Sequence, residues 1–304
     1  MPKHLVPACL AALLCVGAPC GAADEAFEVV RDQVYAERGA DSLAADVYRP
    51  TGDGPFPGVL VVHGGAWMSG TRTQLGTVAK RLAASGYTAV AISYRLAPKH
   101  VFPAQYEDCQ SAVRWMRSDA VRLKIDPARI GGFGYSAGGH LVTLLGMTEQ
   151  LAVADEAPVD IERADNEQAI EEKADAAGPS TRLQAVVAGG APCDFRLLPE
   201  NNRALAYWLG GTRGEKPDLY RLASPTCFVT KDDPPTFFFH GQKDRLVPIL
   251  SPLAMQLLLK AAGVEASVYV VPDAGHIEAA MNGEAIAATI KFFDAHLKPA
   301  QPTP

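Results

Sequence analysis

Ser136 stands at the centre of the pattern GYSAG (134–138), within the longer stretch GGFGYSAGGHL (131–141). An apolar run typical of a strand ends at residue 135, and a run with helical periodicity starts at residue 137. A tight strand-to-helix turn holds a serine in strained backbone dihedrals with its hydroxyl exposed, and glycines two residues to either side leave room for that turn. The pattern therefore predicts that Ser136 is a nucleophile.

The same glycines also match a dinucleotide-binding pattern, G-x-G-x-x-A, from Gly132 to Ala137. In a dinucleotide-binding domain this fingerprint occupies the first strand-to-helix turn, whereas several predicted strands precede Gly132 here. The lysine of a phosphate-binding loop is also missing from the pattern. The position in the chain therefore disfavours a nucleotide site.

A nucleophilic serine needs a base that takes its proton and an acid that orients the base. Asp244 comes just past the apolar run FFFH, and His276 comes just past the apolar run VYVV. A serine, an acid and a histidine in this chain order, each at the end of a strand, form one of the known triad arrangements. Asp194 and Asp273 are rival acids, but Asp194 follows an earlier strand and Asp273 is better placed to cap its loop.

Attack on a carbonyl creates an oxyanion, which needs hydrogen-bond donors. The stretch HGGAW (63–67) follows a predicted strand, and a glycine-rich loop at that point can aim backbone N–H groups at the oxyanion. The expected donors are amides of this loop and the amide that follows the nucleophile: Gly64, Gly65, Ala66 and Ala137.

Four other side chains adjoin these motifs. We expect Trp67 to form a wall of the substrate site and Tyr135, next to the nucleophile, to bind substrate as well. His140 lies one helical turn beyond the serine and is expected to pack in the interior. His240 directly precedes a glycine at a strand end, which favours a structural role.

The elements that must position these residues alternate between strands and helices. Residues 27–36 and 43–50 alternate in the manner of two strands joined by a hairpin turn. Short apolar runs then alternate with helix-like runs, which is typical of a parallel sheet covered on both faces. The six further strands are predicted at 59–62, 88–92, 130–135, 183–188, 237–240 and 267–271, and the helices at 77–85, 104–118, 137–148, 248–262 and 279–297. The sequence therefore predicts an α/β fold with eight strands, most of them parallel.

An acidic stretch interrupts this alternation. Residues 149–175 hold ten acidic residues against Arg163 and Lys173, a local charge of −8, whereas the 304-residue chain carries −6 in total. The remainder is close to neutral, so we expect no basic face for nucleic acid. We predict a single domain over 24–304, with the acidic stretch forming a surface insertion or small cap at about 148–180.

The first 23 residues have a weakly basic start, a short apolar run and small residues up to Ala23. This order predicts a Sec-type signal peptide cleaved near Ala23, since the apolar run is too short to span a bilayer. We therefore expect a secreted or periplasmic protein without stable membrane insertion. Cleavage would leave Cys109, Cys193 and Cys227, of which at most one pair can form a disulfide, and their spacing does not match a metal site.

Several segments together resemble the α/β-hydrolase superfamily: HGGAW, AISYRLAP, DPARIGGFGYSAGGHL, FFFHGQKDRLVP and PDAGH. They are most similar to the BD-FAE type, the bifunctional feruloyl and acetyl-xylan esterases. Hormone-sensitive-lipase-like enzymes are less similar, since they usually have HGGG and GDSAG where this chain has Ala66 and Tyr135. The resemblance implies an α/β-hydrolase fold with Ser136 as nucleophile, His276 as general base and then acid, and Asp244 orienting the histidine.

The function expected from these features is hydrolysis of carboxylic esters through an acyl-enzyme, without cofactor or metal. The resemblance points to short-acyl, mainly acetyl, or hydroxycinnamoyl esters on a small molecule or a plant polysaccharide. Two alternatives stay open: an amide or formamide hydrolase of the same fold, and a catalytically silent, hydrolase-like binding protein. Neither the oligomeric state nor the acyl preference follows from the sequence.

Overall fold

One sheet of eight strands runs through the structure, a computed structural model that describes residues 26–151 and 178–299. Its strands are β1 (Phe27–Arg38), β2 (Asp41–Pro50), β3 (Phe56–Val62), β4 (Thr88–Ile92), β5 (Ile125–Tyr135), β6 (Ala185–Gly189), β7 (Thr236–Gly241) and β8 (Ala266–Val271). Their order in space is β1-β2-β4-β3-β5-β6-β7-β8. The predicted signal peptide and most of the predicted acidic insertion lie outside the described residues.

The first two strands form the predicted antiparallel hairpin, and the left-handed Gly39 lies in the turn between them. β2 is also antiparallel to β4, whereas all later neighbours in the sheet are parallel. Because the carboxyl ends of parallel strands meet at one edge of a sheet, the loops after β3, β5, β6, β7 and β8 lie at the same edge. That edge carries the candidate site.

Helices cover both faces of the sheet. In the described ranges they are α1 (Gly76–Ala84), α2 (Ala104–Ser118), α3 (Ala120–Leu123), α4 (Ala137–Met147), α5 (Ala206–Leu209), α6 (Pro217–Leu222), α7 (Leu250–Ala261), α8 (His276–Ala280) and α9 (Gly283–Leu297). Leu60 and Val62 of β3 belong to the core under α2 and α4, whereas Val59 and Val61 belong to the core under α1 and α9. Since both faces of the strand are buried, its sequence is continuously apolar rather than alternating.

The end of the chain differs from the prediction of one helix over 279–297. A first short helix, α8, begins at His276, and a second, α9, begins at Gly283. The break occurs at Asn282, whose side chain accepts a hydrogen bond from the Ala285 amide at 2.9 Å and so caps the second helix. The break lets the chain present His276 at the edge of the sheet before the long helix packs on its face.

None of the helices within 26–151 and 178–299 combines the length and the apolar character needed to cross a membrane.

Candidate active site

Ser136 lies in the sharp turn between β5 and α4, with φ of 56° and ψ of −119°. This is a strained backbone conformation for a residue with a side chain, and such strain clusters at functional sites. Its amide donates to the Gly189 carbonyl at 2.7 Å, which ties the turn to β6. A Cβ at Gly138 would overlap the Val62 carbonyl oxygen, and one at Gly134 would overlap the Gly138 carbonyl, so this turn has room only for glycine at both positions.

The structure brings together the three side chains that the sequence predicts as a triad. His276 Nε2 lies 2.9 Å from Ser136 Oγ, and His276 Nδ1 lies 2.6 Å from Asp244 Oδ2. Asp244 follows β7, and His276 opens α8 after β8. Since a carboxylate only accepts, Nδ1 carries the proton and Nε2 can accept the serine hydroxyl proton.

The Asp244 side chain is buried, yet its surroundings favour the charged carboxylate. Burial alone would raise its pKa, but hydrogen bonds from His276 and from the amides of Val247 and Leu246 outweigh burial and lower the pKa below its ordinary value. Both amides donate to Oδ1 at 2.9 Å. The carboxylate is therefore ionised at neutral pH and is held from both of its oxygens.

The two rival acids have other partners. Asp194 forms a two-pronged ion pair with Arg196, at 3.0 and 2.7 Å. Asp273 pairs with Lys243 at 2.8 Å. Neither carboxylate lies within hydrogen-bond reach of His276.

Tyr135, predicted to bind substrate, instead contacts the histidine. Its side chain is buried, its hydroxyl donates to the His276 carbonyl, and the two rings lie 5.3 Å apart. The Tyr135 ring also lies 5.7 Å from that of Phe239 on β7, within the core of the protein. The geometry gives Tyr135 the role of holding the backbone that carries His276.

The loop after β3 has three left-handed residues in succession: Gly65, Ala66 and Trp67, with φ of 106°, 52° and 58°. The Gly65 carbonyl accepts hydrogen bonds from the amides of Met68 and Ser69, each at 3.0 Å. The Ala66 N–H belongs to the same peptide unit and therefore points away from these two amides. Within the described residues, no protein group accepts a hydrogen bond from the amides of Gly65 or Ala66, or from that of Ala137 after the serine. These amides are therefore free to bind a negative oxygen.

Gly64, the fourth predicted donor, lies against the serine turn. A Cβ there would lie 3.0 Å from the Tyr135 carbonyl oxygen and 3.3 Å from Ser136 Cβ. Only a residue without a side chain therefore lets the loop approach the nucleophile so closely.

His63 fixes the start of this loop. Its ring stacks on Tyr94 with centroids 4.2 Å apart, and its Nδ1 lies 2.7 Å from the Gly64 carbonyl. Burial lowers the pKa of His63 to about 4, so the ring is neutral at pH 7 and donates its one proton to that carbonyl. His63 therefore acts on the loop as a structural donor.

Trp67 does not form the predicted wall of the substrate site. Its side chain is 4% exposed and stacks on Trp208, with ring centroids 3.8 Å apart. The left-handed backbone at this position turns the indole inward instead of towards the open edge of the sheet. Trp67 therefore anchors the loop in the core.

His140 accepts the indole N–H of Trp67 on Nδ1, at 3.3 Å, and its Nε2 lies 2.7 Å from the Ala223 carbonyl. The ring is fully buried, and burial lowers its pKa to about 4. The neutral ring thus joins the loop after β3 (63–67, the oxyanion loop) to the end of α6. This agrees with the packing role expected from its position in α4.

Two residues of the site were not predicted from the sequence. Tyr207 and Trp208 lie in α5, within the connection from β6 to β7. The Tyr207 hydroxyl donates to the Ala66 carbonyl at 2.7 Å, and Trp208 covers Trp67. A four-residue helix has too little periodicity to be recognised, so only the tryptophan itself could have drawn notice.

The three described cysteines, Cys109, Cys193 and Cys227, are free thiols. Within residues 26–151 and 178–299, no three His, Cys, Asp or Glu side chains are grouped so that they could hold a metal ion.

Comparison with known proteins places this geometry in a family. The BD-FAE family model matches residues 45–258. Esterase LipC of Mycobacterium tuberculosis is 32% identical over 270 residues, which cover 84% of this chain and 62% of LipC. Esterase LipQ of the same organism is 26% identical over 275 residues, covering 86% and 61% of the two chains. The chain thus spans about three fifths of the length of these curated relatives.

Solved structures agree in fold. A truncated carbohydrate esterase from gut microbiota has a TM-score of 0.76 at 26% identity, with 90% of this chain and 98% of that chain covered. A bifunctional GH43-CE protein of Bacteroides eggerthii has a TM-score of 0.73 at 26% identity, with 90% and 36% covered. The predicted fold and family are confirmed: this chain belongs to the BD-FAE family and has the α/β-hydrolase fold.

Proposed function

We propose that the chain is a serine carboxylic-ester hydrolase that works through an acyl-enzyme. The observation that carries this proposal is the continuous hydrogen-bond chain from Ser136 through His276 to Asp244, at 2.9 and 2.6 Å, facing free backbone amides. The family relatives named esterases support it.

In the first half-reaction, Ser136 Oγ attacks the ester carbonyl carbon while His276 Nε2 takes the hydroxyl proton. The carbonyl oxygen becomes an oxyanion, and the amides of Ala66 and Ala137, with that of Gly65, donate to it. The C–O bond then breaks, and His276 returns its proton to the leaving alcohol. Asp244 holds the imidazole in the required tautomer and stabilises its positive charge.

In the second half-reaction, water attacks the acyl-Ser136 carbonyl and His276 takes a proton from that water. The tetrahedral intermediate collapses, the acid leaves, and the proton returns to Ser136. The two half-reactions use only these side chains, the backbone amides and one water molecule.

We assign the substrate to short-acyl, mainly acetyl, or hydroxycinnamoyl esters, including those on plant polysaccharide. The structural neighbour described as a carbohydrate esterase, together with the one described as a bifunctional GH43-CE protein, supports the carbohydrate part of this assignment. Two exposed apolar side chains support an apolar group beside the ester: Leu246, two residues after the triad acid, and Ile277, directly after the base. Export of the protein through a signal peptide ending near Ala23 would bring it to such a substrate.

Release of p-nitrophenol from its acetate ester tests the activity. We expect turnover by the wild-type protein, labelling of Ser136 by a fluorophosphonate, and a loss in kcat of about 10⁴-fold or more in Ser136→Ala. Ser111→Ala is the matched control, since Ser111 is half-buried on α2 and its hydroxyl bonds only Glu107 and Arg38 among the described residues. If the wild-type protein neither turns over the ester nor takes up the label, the chain is not a serine esterase.

The substrate assignment needs its own comparison. Acetylated xylan, methyl ferulate, longer acyl esters and formamides are offered to the wild-type protein at equal concentration, and kcat/KM is measured for each. We expect acetyl or feruloyl esters to give the largest value. A larger kcat/KM for formamides would assign the chain to amide hydrolysis.

A further inference from the structure

His240 lies directly beside the acid of the triad, and the reaction steps above make no use of it. Its Nε2 is 3.2 Å from Asp244 Oδ2 and 2.8 Å from the Val247 carbonyl oxygen. The side chain is 0% exposed at the carboxyl end of β7. A buried imidazole four residues before the acid therefore shares the same carboxylate oxygen as His276.

The surroundings of the ring determine where its proton is. Both groups that face Nε2, a carboxylate and a carbonyl, can only accept a hydrogen bond. Nδ1 is buried and has no hydrogen-bond partner among the described residues. A proton on Nδ1 would leave a buried donor unpaired and turn a lone pair towards two oxygens, whereas an unpaired acceptor costs less. His240 therefore carries its proton on Nε2.

We propose that His240 is a positioning residue for the triad: its Nε2–H holds the Val247 carbonyl, and its ring packs against Asp244 Oδ2. This inference rests on the proposed triad function. The carboxylate then accepts three hydrogen bonds, from the Leu246 and Val247 amides on Oδ1 and from His276 on Oδ2, and His240 Nε2 lies 3.2 Å from Oδ2 beside them.

The Val247 peptide links the two sides of this arrangement. Its amide donates to Asp244 Oδ1, and its carbonyl accepts from His240. The ring thus closes the loop after β7 onto the strand from which the loop leaves. Without it, the carboxylate could rotate about its side-chain bonds, and the angle at which it meets His276 would no longer be fixed.

The contact also sets the charge that His276 experiences. Asp244, in the loop after β7, and His276, at the start of α8, are the titratable groups that act on the His240 ring. Burial outweighs the hydrogen bond to the Val247 carbonyl and the charge of Asp244 and lowers the pKa of His240, which favours the neutral ring. A neutral N–H spreads the carboxylate charge. Removing the His240 N–H leaves more of the negative charge of Asp244 to act on His276 and so stabilises the His276 imidazolium.

Three variants separate positioning from general packing. His240→Leu removes the donor but fills the space. His240→Gln can place an amide N–H near the position of Nε2. Phe238→Leu is the matched control, since Phe238 is equally buried two residues earlier on β7 and makes no hydrogen bond to the triad.

The first measurement is the pH profile of kcat/KM for p-nitrophenyl acetate. We expect His240→Leu to lower kcat by about three- to tenfold, the range for a hydrogen bond between neutral groups, and to move the acid limb upward by about half a pH unit. His240→Gln should recover most of the rate and return the acid limb to its wild-type position. Phe238→Leu should leave the acid limb where it is in the wild type. Equal profiles in His240→Leu and Phe238→Leu would overturn the proposal.

The second measurement needs neither activity nor a variant that folds. In wild-type protein with ¹⁵N-labelled histidine, the His240 ring is expected to show a protonated Nε2 and an unprotonated Nδ1 throughout the pH range in which His276 titrates. A protonated Nδ1, or a ring that gains a second proton together with His276, would overturn the positioning role whether or not the chain proves to be an esterase.

Discussion

The indole rings of Trp67 and Trp208 lie face to face, with centroids 3.8 Å apart and planes 4° apart. The first ring belongs to the oxyanion loop after β3 and the second to α5, in the connection from β6 to β7. Each N–H has a buried acceptor, His140 for Trp67 and Gln105 for Trp208. The stack therefore joins two distant parts of the chain directly behind the amides that would bind the oxyanion.

Trp208→Leu tests this connection. Loss of a fully buried tryptophan is expected to lower the free energy of unfolding by about 3 kcal/mol. In the molecules that stay folded, we expect kcat to fall while KM changes less, because the oxyanion loop loses its support. Denaturant unfolding and steady-state kinetics on p-nitrophenyl acetate measure the two effects.

Phe102→Leu is the control for that variant, since Phe102 packs edge-on against Trp208 and does not stack on the oxyanion loop. It should lose stability while keeping kcat. If both variants lose kcat in proportion to their loss of stability, the stack has no special connection with the oxyanion loop.

Tyr207→Phe removes one hydroxyl that bonds the same loop from α5. The bond from this hydroxyl to the Ala66 carbonyl, at 2.7 Å, fixes the peptide that follows one of the expected oxyanion donors. We expect a fall in kcat of about three- to tenfold with KM nearly unchanged, because a typical hydrogen bond contributes about 1 kcal/mol. Tyr269→Phe, which removes a surface hydroxyl bonded to Glu284, should leave kcat unaltered. An unchanged kcat in Tyr207→Phe would mean that the loop keeps its shape without this bond.

The sequence was sufficient for the parts of the site that lie at strand ends. Ser136, Asp244 and His276 each follow an apolar run, and parallel strands bring the ends of such runs to one edge whatever the details of packing. The eight strands and the two-sided helix layers follow from the same alternation. These features depend on local pattern and on topology, both of which the sequence displays.

The sequence was not sufficient for contacts that depend on backbone conformation or on distant segments. The orientation of Trp67 follows from left-handed dihedrals at Ala66 and Trp67. Residues of these two types rarely adopt such dihedrals, so the sequence did not predict them. Tyr207 and Trp208 reach the site from a connection without helical or strand periodicity. The contact between His240 and Asp244 depends on a loop closing back onto its own strand, so the spacing of four residues alone did not predict it.

Gly138→Ala tests the space at the nucleophile. The added methyl group would overlap the Val62 carbonyl oxygen, so the turn must shift and the free energy of unfolding should fall by about 2 kcal/mol. We expect a larger effect on kcat, since Ser136 moves relative to His276. Gly283→Ala is the control, because nothing lies near its added methyl group at the start of α9, and it should be neutral or stabilising by about 0.5 kcal/mol. Wild-type kcat in Gly138→Ala would show that the turn tolerates a side chain there.

The buried histidines should make the stability of the fold depend on pH. Burial lowers the pKa of His140 and of His63 from 6.5 to about 4. Between these values the unfolded chain binds the proton and the folded chain does not, so stability is complete above pH 6.5 and falls as the pH drops towards 4. Each of these histidines then lowers the free energy of unfolding by roughly 2 kcal/mol at pH 5 and by about 3 kcal/mol at pH 4.

Urea unfolding at several pH values from 7.5 to 4.5 measures this loss. His140→Gln should be less stable than wild type at pH 7.5, because the acceptor for Trp67 is lost. Its free energy of unfolding should fall less steeply as the pH drops, because unfolding then takes up nearly one proton fewer than in the wild type. Thr143→Val is the control: Thr143 is a buried, non-titrating side chain of the same helix that bonds the Gly139 carbonyl, so its removal should shift stability equally at every pH. A His140→Gln curve parallel to that of the wild type would mean that the imidazole becomes protonated in the folded protein as readily as in the unfolded chain.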